Sequence, residues 1–183
     1  MEALELLLTR GSQPRLQAPA PNPEALENIM QSALRAPDHA CLRPWRFVVC
    51  QNKGLAKLGD IFEQAAIAAN KSAVEIERAP QLPLRAPMVI VAIAKYTEHV
   101  KVPWIEQVAS TSCAVSAMQM AALAQGYGGV WRTGSYARNE SVKEAFELSE
   151  QDEIVGFLYL GTSIIKAKPK QAILSQDFFE NWD

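Results

Sequence analysis

A chain of 183 residues with 49% hydrophobic content can enclose one compact core, so a single domain over residues 1–183 is the first expectation. Its 18 Lys and Arg against 20 Asp and Glu create no field able to hold nucleic acid or an anionic membrane, which excludes both as partners. Cys41, Cys50 and Cys113 form no Cys-x-x-Cys pair, and Met1-Glu2-Ala3-Leu4-Glu5 carries acids where an export signal carries Lys or Arg, so a reducing, cytoplasmic setting is expected.

Residues Glu2 to Leu8 read as a short helix, with Gly11 placed where a left-handed residue commonly ends one. A proline-rich loop follows. Pro23 suits the first position of a second helix, whose Leu26, Ile29, Met30 and Leu34 recur at helical spacing until Pro37. Arg35 then falls in its last turn, where the helix dipole favours a cation. Phe47–Cys50 and Pro87–Ala94 are runs for buried strands, with a helical stretch from about Gly54 to Ile76 between them.

No charge occurs between Glu106 and Arg132. Gln107, Ser110, Thr111, Ser112, Ser116, Gln119 and Gln125 interrupt this run and its apolar members are mostly Ala, so it reads as a helix buried in protein and covered on every side, not as a membrane span. Such a helix needs more surface than one small domain provides, and a second copy of the chain is expected against it. Gly126-Tyr127-Gly128-Gly129 breaks it. Val130-Trp131 and Ile154–Leu160 supply two more strands, separated by a short helix from about Ser141 to Phe146. The last stretch, Lys166 to Asp183, reads as an irregular tail that adds little core. The order of elements points to an α+β sheet with a helical layer.

Hydrolase and phosphate-loop signatures are missing from the sequence. The glycines of Gly126–Gly129 lack dinucleotide spacing and follow a helix instead of a strand. Asp38-His39-Ala40-Cys41 invites a metal or a thiolate nucleophile, yet no second cluster supplies further ligands, which leaves His39 as a loop histidine that donates to a ligand. Cys50 and Cys113 lie among apolar neighbours and read as core thiols. Arg10-Gly11-Ser12, with Arg15 behind, offers a guanidinium, a hydroxyl and open N–H groups, which suit a phosphate or the pyrimidine edge of a heterocycle. A helix end with a solvated arginine satisfies the same residues. Trp131-Arg132-Thr133-Gly134 similarly fits either a strand edge or a site.

Together these segments resemble the flavin nitroreductase family, in particular its small YdjA-like branch. The resemblance rests on Arg10, Ser12 and Arg15; on Ala36, Pro37, Pro44 and Trp45; on Asp38-His39 and Lys101-Val102-Pro103; on Cys113 through Ala122; on Gly129 through Arg132; and on Gly156 through Thr162. Gly11 stands where the family commonly has arginine, Arg43 where it has glutamine, and Cys41 where larger relatives have asparagine.

The resemblance implies an α+β fold with a mostly antiparallel central sheet flanked by helices, in an intertwined homodimer holding FMN between its subunits. Arg10, Gly11 and Ser12 would hold the flavin together with Trp131, Arg132 and Thr133, while Arg35 and His39 reach it from the other subunit. Ala121, Ala122, Leu123, Ala124, Gln125 and Gly126 would lie near the nicotinamide nucleotide. It further implies NADH or NADPH as donor, a nitroaromatic, quinone or similar flat acceptor, and no catalytic side chain, because the cofactor performs the redox step. A flavin-binding or sensing module without turnover, and a structural dimer without flavin, are the rival readings.

Overall fold

Along the described residues of a computed structural model, 2–165 and 173–182, the chain runs α1 (Ala3–Thr9), β1 (Leu16–Gln17), α2 (Pro23–Ala33), β2 (Trp45–Gln51), α3 (Lys53–Ala68), α4 (Ala73–Arg78), β3 (Met88–Ala94), α5 (Trp104–Ala124), β4 (Gly128–Arg132), α6 (Glu140–Ala145) and β5 (Glu153–Ser163). Residues 166–172, part of the expected tail, lie outside the described residues. Ile173, Leu174, Phe178, Phe179 and Trp182 of that tail are exposed.

Local chemistry sets the element boundaries. Asn22 caps α2 by accepting from the Ala25 N–H at 2.8 Å, with Pro23 in the first turn, where a missing N–H costs nothing. The stretch expected to be one helix over Gly54–Ile76 is two: α3 ends as Asn70 turns left-handed (φ 49°), and a Ser72–Glu75 capping box starts α4. Asn139 caps α6 through the Val142 N–H at 3.1 Å.

Three further expectations are corrected. Gly11 is not left-handed, because α1 closes through the Arg10 N–H to Leu6 O at 2.9 Å. Gly126 (φ 87°) alone terminates α5, while Gly128 and Gly129 already belong to β4. Arg35 lies beyond α2, which ends at Ala33 with Leu34 as its cap.

All strand pairings among the described residues are antiparallel, in the order β1-β5-β3-β2 with β4 also on β5. The uninterrupted apolar sequence of β3, every residue of which is buried, follows from its central position with helices on both faces. Val89, Val91, Ile93, Phe157 and Tyr159 face α3 and α6, where Phe62 stacks on Tyr136 and meets Phe157 edge-on. Met88, Ile90, Ala92, Leu158 and Leu160 face α2 and α5.

Helix α5 carries Gln107, Ser110, Thr111 and Gln119 inward because each finds a hydrogen-bond partner. The Gln107 amide accepts from Thr97 N–H at 3.0 Å and donates to Thr97 O at 2.8 Å, and Gln119 Nε2 donates to Gly129 O at 3.0 Å. Within one chain, however, α5 is covered on one side only. Ile105, Ala109, Cys113 and Ser116 share an exposed, uncharged face, which corrects the reading of Cys113 as a core thiol. No helix among the described residues is long and apolar enough to cross a membrane.

Candidate functional site

The loop after α1 is fastened to β4. The Gln13 N–H donates to Gly129 O at 2.9 Å, and the same carbonyl accepts from Gln119. Two side chains of this segment pack over Gly128: a Cβ there would stand 2.5 Å from Gln13 Oε1 and 2.6 Å from Leu16 Cδ2, whose ends would have to move. The fastening opens a cleft of ≈ 320 Å³ lined by Arg10, Gly11 and Gln13 on one side and Leu123, Gly126 and Tyr127 on the other. Ser12 is exposed beside it. Arg10 Nε and Gln13 Oε1 are shielded from water with no partner among the described residues, a donor and an acceptor that a polar ligand would satisfy.

Trp131 and Arg132 point to opposite faces of the sheet because they are consecutive in β4. Trp131 packs on the α5 side, where its Nε1 donates to Val155 O at 3.2 Å. That carbonyl belongs to a bulge: β3 pairs Ala92 with Gly156 and Ile93 with Ile154, leaving Val155 as the extra residue. Gly156 must lack a side chain, since its Cβ would run into Trp131 Nε1 and lie 2.6 Å from Arg132 O. The Arg132 guanidinium sits 5.6 Å above the Tyr159 ring, and its Nε is shielded and without a partner among the described residues. Burial pushes the Tyr159 hydroxyl pKa up, opposed by the charges of Arg132 and Arg85. Thr133 is exposed and shares with Trp131, Val108 and Ser112 a cavity of ≈ 590 Å³.

Arg35 and His39 lie elsewhere in the chain. Arg35 opens on a cavity of ≈ 630 Å³ with Asp38, Cys41, Arg43 and Trp45. His39 precedes a cramped turn in which Ala40 (φ 62°), Cys41 (φ 54°) and Arg43 (φ 50°) are all left-handed without being glycine. Asp38 holds that turn by accepting from Leu42 N–H at 3.2 Å and Arg43 N–H at 2.7 Å. His39 Nδ1 stands 2.9 Å from Glu106 Oε2 at the start of α5. Among the described residues no three His, Cys, Asp or Glu side chains gather as a metal site.

One chain therefore leaves the candidate residues in separate places, with α5 bordering three of them: Leu123 beside Arg10, Val108 and Ser112 beside Trp131, and Glu106 against His39. Of the stretch Ala121–Gly126, Leu123 and Gly126 line the Arg10 cleft, Ala122 is buried in the core, and Gln125 is tied to α2 through Asn28 and Ala25 O. Sequence reasoning passed over Gln13, Glu106 and Gly156 as site residues. Gln13 sits inside the Arg10–Arg15 motif and Glu106 is the last charge before the long neutral run, so both carried a signal, whereas Gly156 acquires its meaning only from the bulge.

The model of the Nitroreductase family matches residues 8–162. The chain is 50% identical over 167 residues to "Putative NAD(P)H nitroreductase YdjA" of Escherichia coli (strain K12), covering 91% of each chain. It is 40% identical over 180 residues to "Putative NAD(P)H nitroreductase" of Haemophilus influenzae, covering 97% of this chain and 98% of that one. Among solved structures, a nitroreductase-like family protein from Bacillus cereus superposes with a TM-score of 0.86 at 22% identity, covering 100% of this chain and 97% of that one. An FMN-dependent nitroreductase from Clostridium difficile R20291 superposes with a TM-score of 0.70 at 20% identity, covering 98% and 99%.

Proposed function

The chain belongs to the nitroreductase family, and we propose that it is a single-domain, FMN-dependent NAD(P)H oxidoreductase working as a homodimer in the cytoplasm. The observation that carries this reading is the set of shielded, partnerless polar atoms, Arg10 Nε, Gln13 Oε1 and Arg132 Nε, in the loop after α1 and at the end of β4. Two guanidinium donors and an amide acceptor suit a ligand rich in phosphate and carbonyl oxygens that also carries an N–H, and FMN is such a ligand. The relatives' names, NAD(P)H nitroreductase and FMN-dependent nitroreductase, support the same assignment.

Arg10, Gly11 and Ser12 hold the flavin together with Trp131, Arg132 and Thr133 of the same subunit, and Arg35 and His39 approach it from the other. The dimer is supported by apolar surface that one chain leaves open: Leu4, Leu7 and Leu8 of α1, which has no buried residue, and the Ile105 face of α5. Residues Ala121–Gly126 lie on the approach of the nicotinamide nucleotide, supported by Leu123 and Gly126 lining the Arg10 cleft. When bound, FMN supplies a two-electron exchange between NADH or NADPH and a nitroaromatic, quinone or similar flat acceptor. The protein's share is binding and electrostatics: arginines near the flavin favour the form with the greater negative charge. Three free thiols among the described residues accord with a reducing compartment.

The test is the visible spectrum of the purified protein, followed anaerobically as each nucleotide is added. Bound flavin that bleaches is expected; a coloured protein that neither nucleotide bleaches would make this a flavin-binding module without turnover. Arg10→Ala and His39→Ala are each expected to weaken flavin retention. Mixing the two variant proteins should restore binding at part of the sites if these residues come from different subunits.

A further inference from the structure

The chain has two histidines, and their surroundings commit them to opposite tautomers. His39 Nδ1 faces the Glu106 carboxylate at 2.9 Å, and an ionised carboxylate only accepts, so Nδ1 carries the proton. His99 Nδ1 instead accepts from the Lys101 backbone N–H at 3.2 Å, which leaves its proton on Nε2. Which nitrogen of an imidazole carries the proton is decided by the partner of the other nitrogen, and this fixes what the ring offers a ligand.

The His39 loop is held by α5 at three points. Glu106 takes His39, Ser110 Oγ donates to Pro37 O at 2.5 Å, and Thr111 Oγ1 donates to Pro44 O at 2.7 Å. Between these anchors the backbone keeps three left-handed residues that are not glycine, Ala40, Cys41 and Arg43. Strain of this kind persists only where the surroundings over-determine it, and it accumulates at functional loops. Asp38 is occupied with Leu42 and Arg43 N–H, so Glu106 is the acid that meets the ring.

We propose that Glu106 is the positioning residue for His39: it holds the ring in the Nδ1–H tautomer, so that Nε2 is the atom presented to the flavin from across the subunit boundary. In the neutral ring Nε2 is then an acceptor, able to receive a flavin N–H or hydroxyl; without Glu106 the ring turns freely and offers either nitrogen. This rests on the placement of His39 in the flavin site made above, and the experiment separates the two.

Nitrogen-15 spectra of the imidazoles, recorded near pH 8 on the flavin-loaded protein and on the same protein stripped of flavin, contain only two rings. His39→Gln assigns them. The wild type is expected to show one Nδ1–H ring and one Nε2–H ring. Glu106→Ala should move His39 alone towards Nε2–H and weaken flavin binding about tenfold, which corresponds to ~1.4 kcal/mol. Glu106→Gln, whose amide oxygen still accepts from Nδ1–H, should keep the wild-type pattern and most of the affinity. Glu106 is exposed, and unchanged melting of the variants confirms that they fold. An Nε2–H His39 in the wild type, or one unmoved by Glu106→Ala, overturns the assignment of Glu106. A tautomer that moves while flavin affinity stays constant overturns the flavin-site role of His39, leaving flavin retention by Arg10 and Arg132 to stand or fall on its own variants.

Discussion

The backbone N–H of Gln13 donates to the carbonyl of Gly129 at 2.9 Å, so the loop that bears Arg10 is placed by the first residues of β4. Beside it the Gln13 and Leu16 side chains close over Gly128, where a Cβ would meet Gln13 Oε1 and Leu16 Cδ2. Gly128→Ala is therefore expected to displace the ends of the Gln13 and Leu16 side chains, costing about 1 kcal/mol of stability, the low end of overpacking. Because the side chain that must move carries Gln13 Oε1, the substitution should also weaken flavin binding. Urea denaturation and flavin titration measure the two effects; tight flavin binding retained in a destabilised variant would remove Gln13 Oε1 from the flavin site.

Arg132 has a buried Nε without a partner among the described residues and a guanidinium resting on the Tyr159 ring, so a donor is left for a ligand to use. A hydrogen bond to a charged group is worth about 1.5–3 kcal/mol. Arg132→Ala is accordingly expected to weaken FMN binding by on the order of 10- to 100-fold. Arg132→Lys keeps the charge but loses the fork and the stacking, and should fall between. Equilibrium titration with free FMN tests this, and equal affinities for all three proteins would remove Arg132 from the site.

What the sequence makes legible are features confined to short windows. The seven apolar residues of β3 announce a buried strand, and the charge-free run of α5 announces a long helix; both lie where expected, although one chain covers α5 on one side only. The break at Asn70 was also written locally, in the Ser72–Glu75 capping box, though helical spacing on either side concealed it. Other features depend on residues far apart in the chain. His39 and Glu106 are 67 positions apart, and the Val155 bulge exists only against β3 and the Trp131 ring. Two-residue β1 has too few positions to show any alternation, and only its pairing with Thr162 and Ser163 defines it.

Asp152 is buried between the end of β3 and the loop before β5, accepting from Lys95 Nζ, from Tyr96 N–H at 2.9 Å and from Ser149 N–H at 2.9 Å. Burial alone would raise its pKa, but these hydrogen bonds outweigh it and hold the carboxyl below its usual range. A folded pKa below the unfolded one contributes stability that is complete above the unfolded value, about 3.9, and is lost as pH falls through the folded value. Asp152→Asn should therefore be destabilised at neutral pH by about 2–3 kcal/mol, towards the lower end because the Lys95 ammonium is partly exposed. The gap from wild type should narrow only below the usual aspartate range. A gap independent of pH down to acid unfolding would assign the loss to packing instead of charge.

The three cysteines report on the face of α5 that one chain leaves bare. Cys50 is buried, and its burial pushes the thiol pKa up against a weaker opposing pull from Lys57, so it should react slowly with a thiol reagent in any native state. Cys41 and Cys113 are both exposed in a single chain. Cys113 lies on the neutral face with Ala109 and Ser116, the surface expected to meet a second copy. Labelling at pH 8 should thus show Cys113 protected at high protein concentration and increasingly reactive on dilution, in step with the mass measured by sedimentation. Cys41→Ser isolates that signal, and Cys113 reacting equally fast at every concentration while the protein sediments as a dimer would move the subunit interface away from α5.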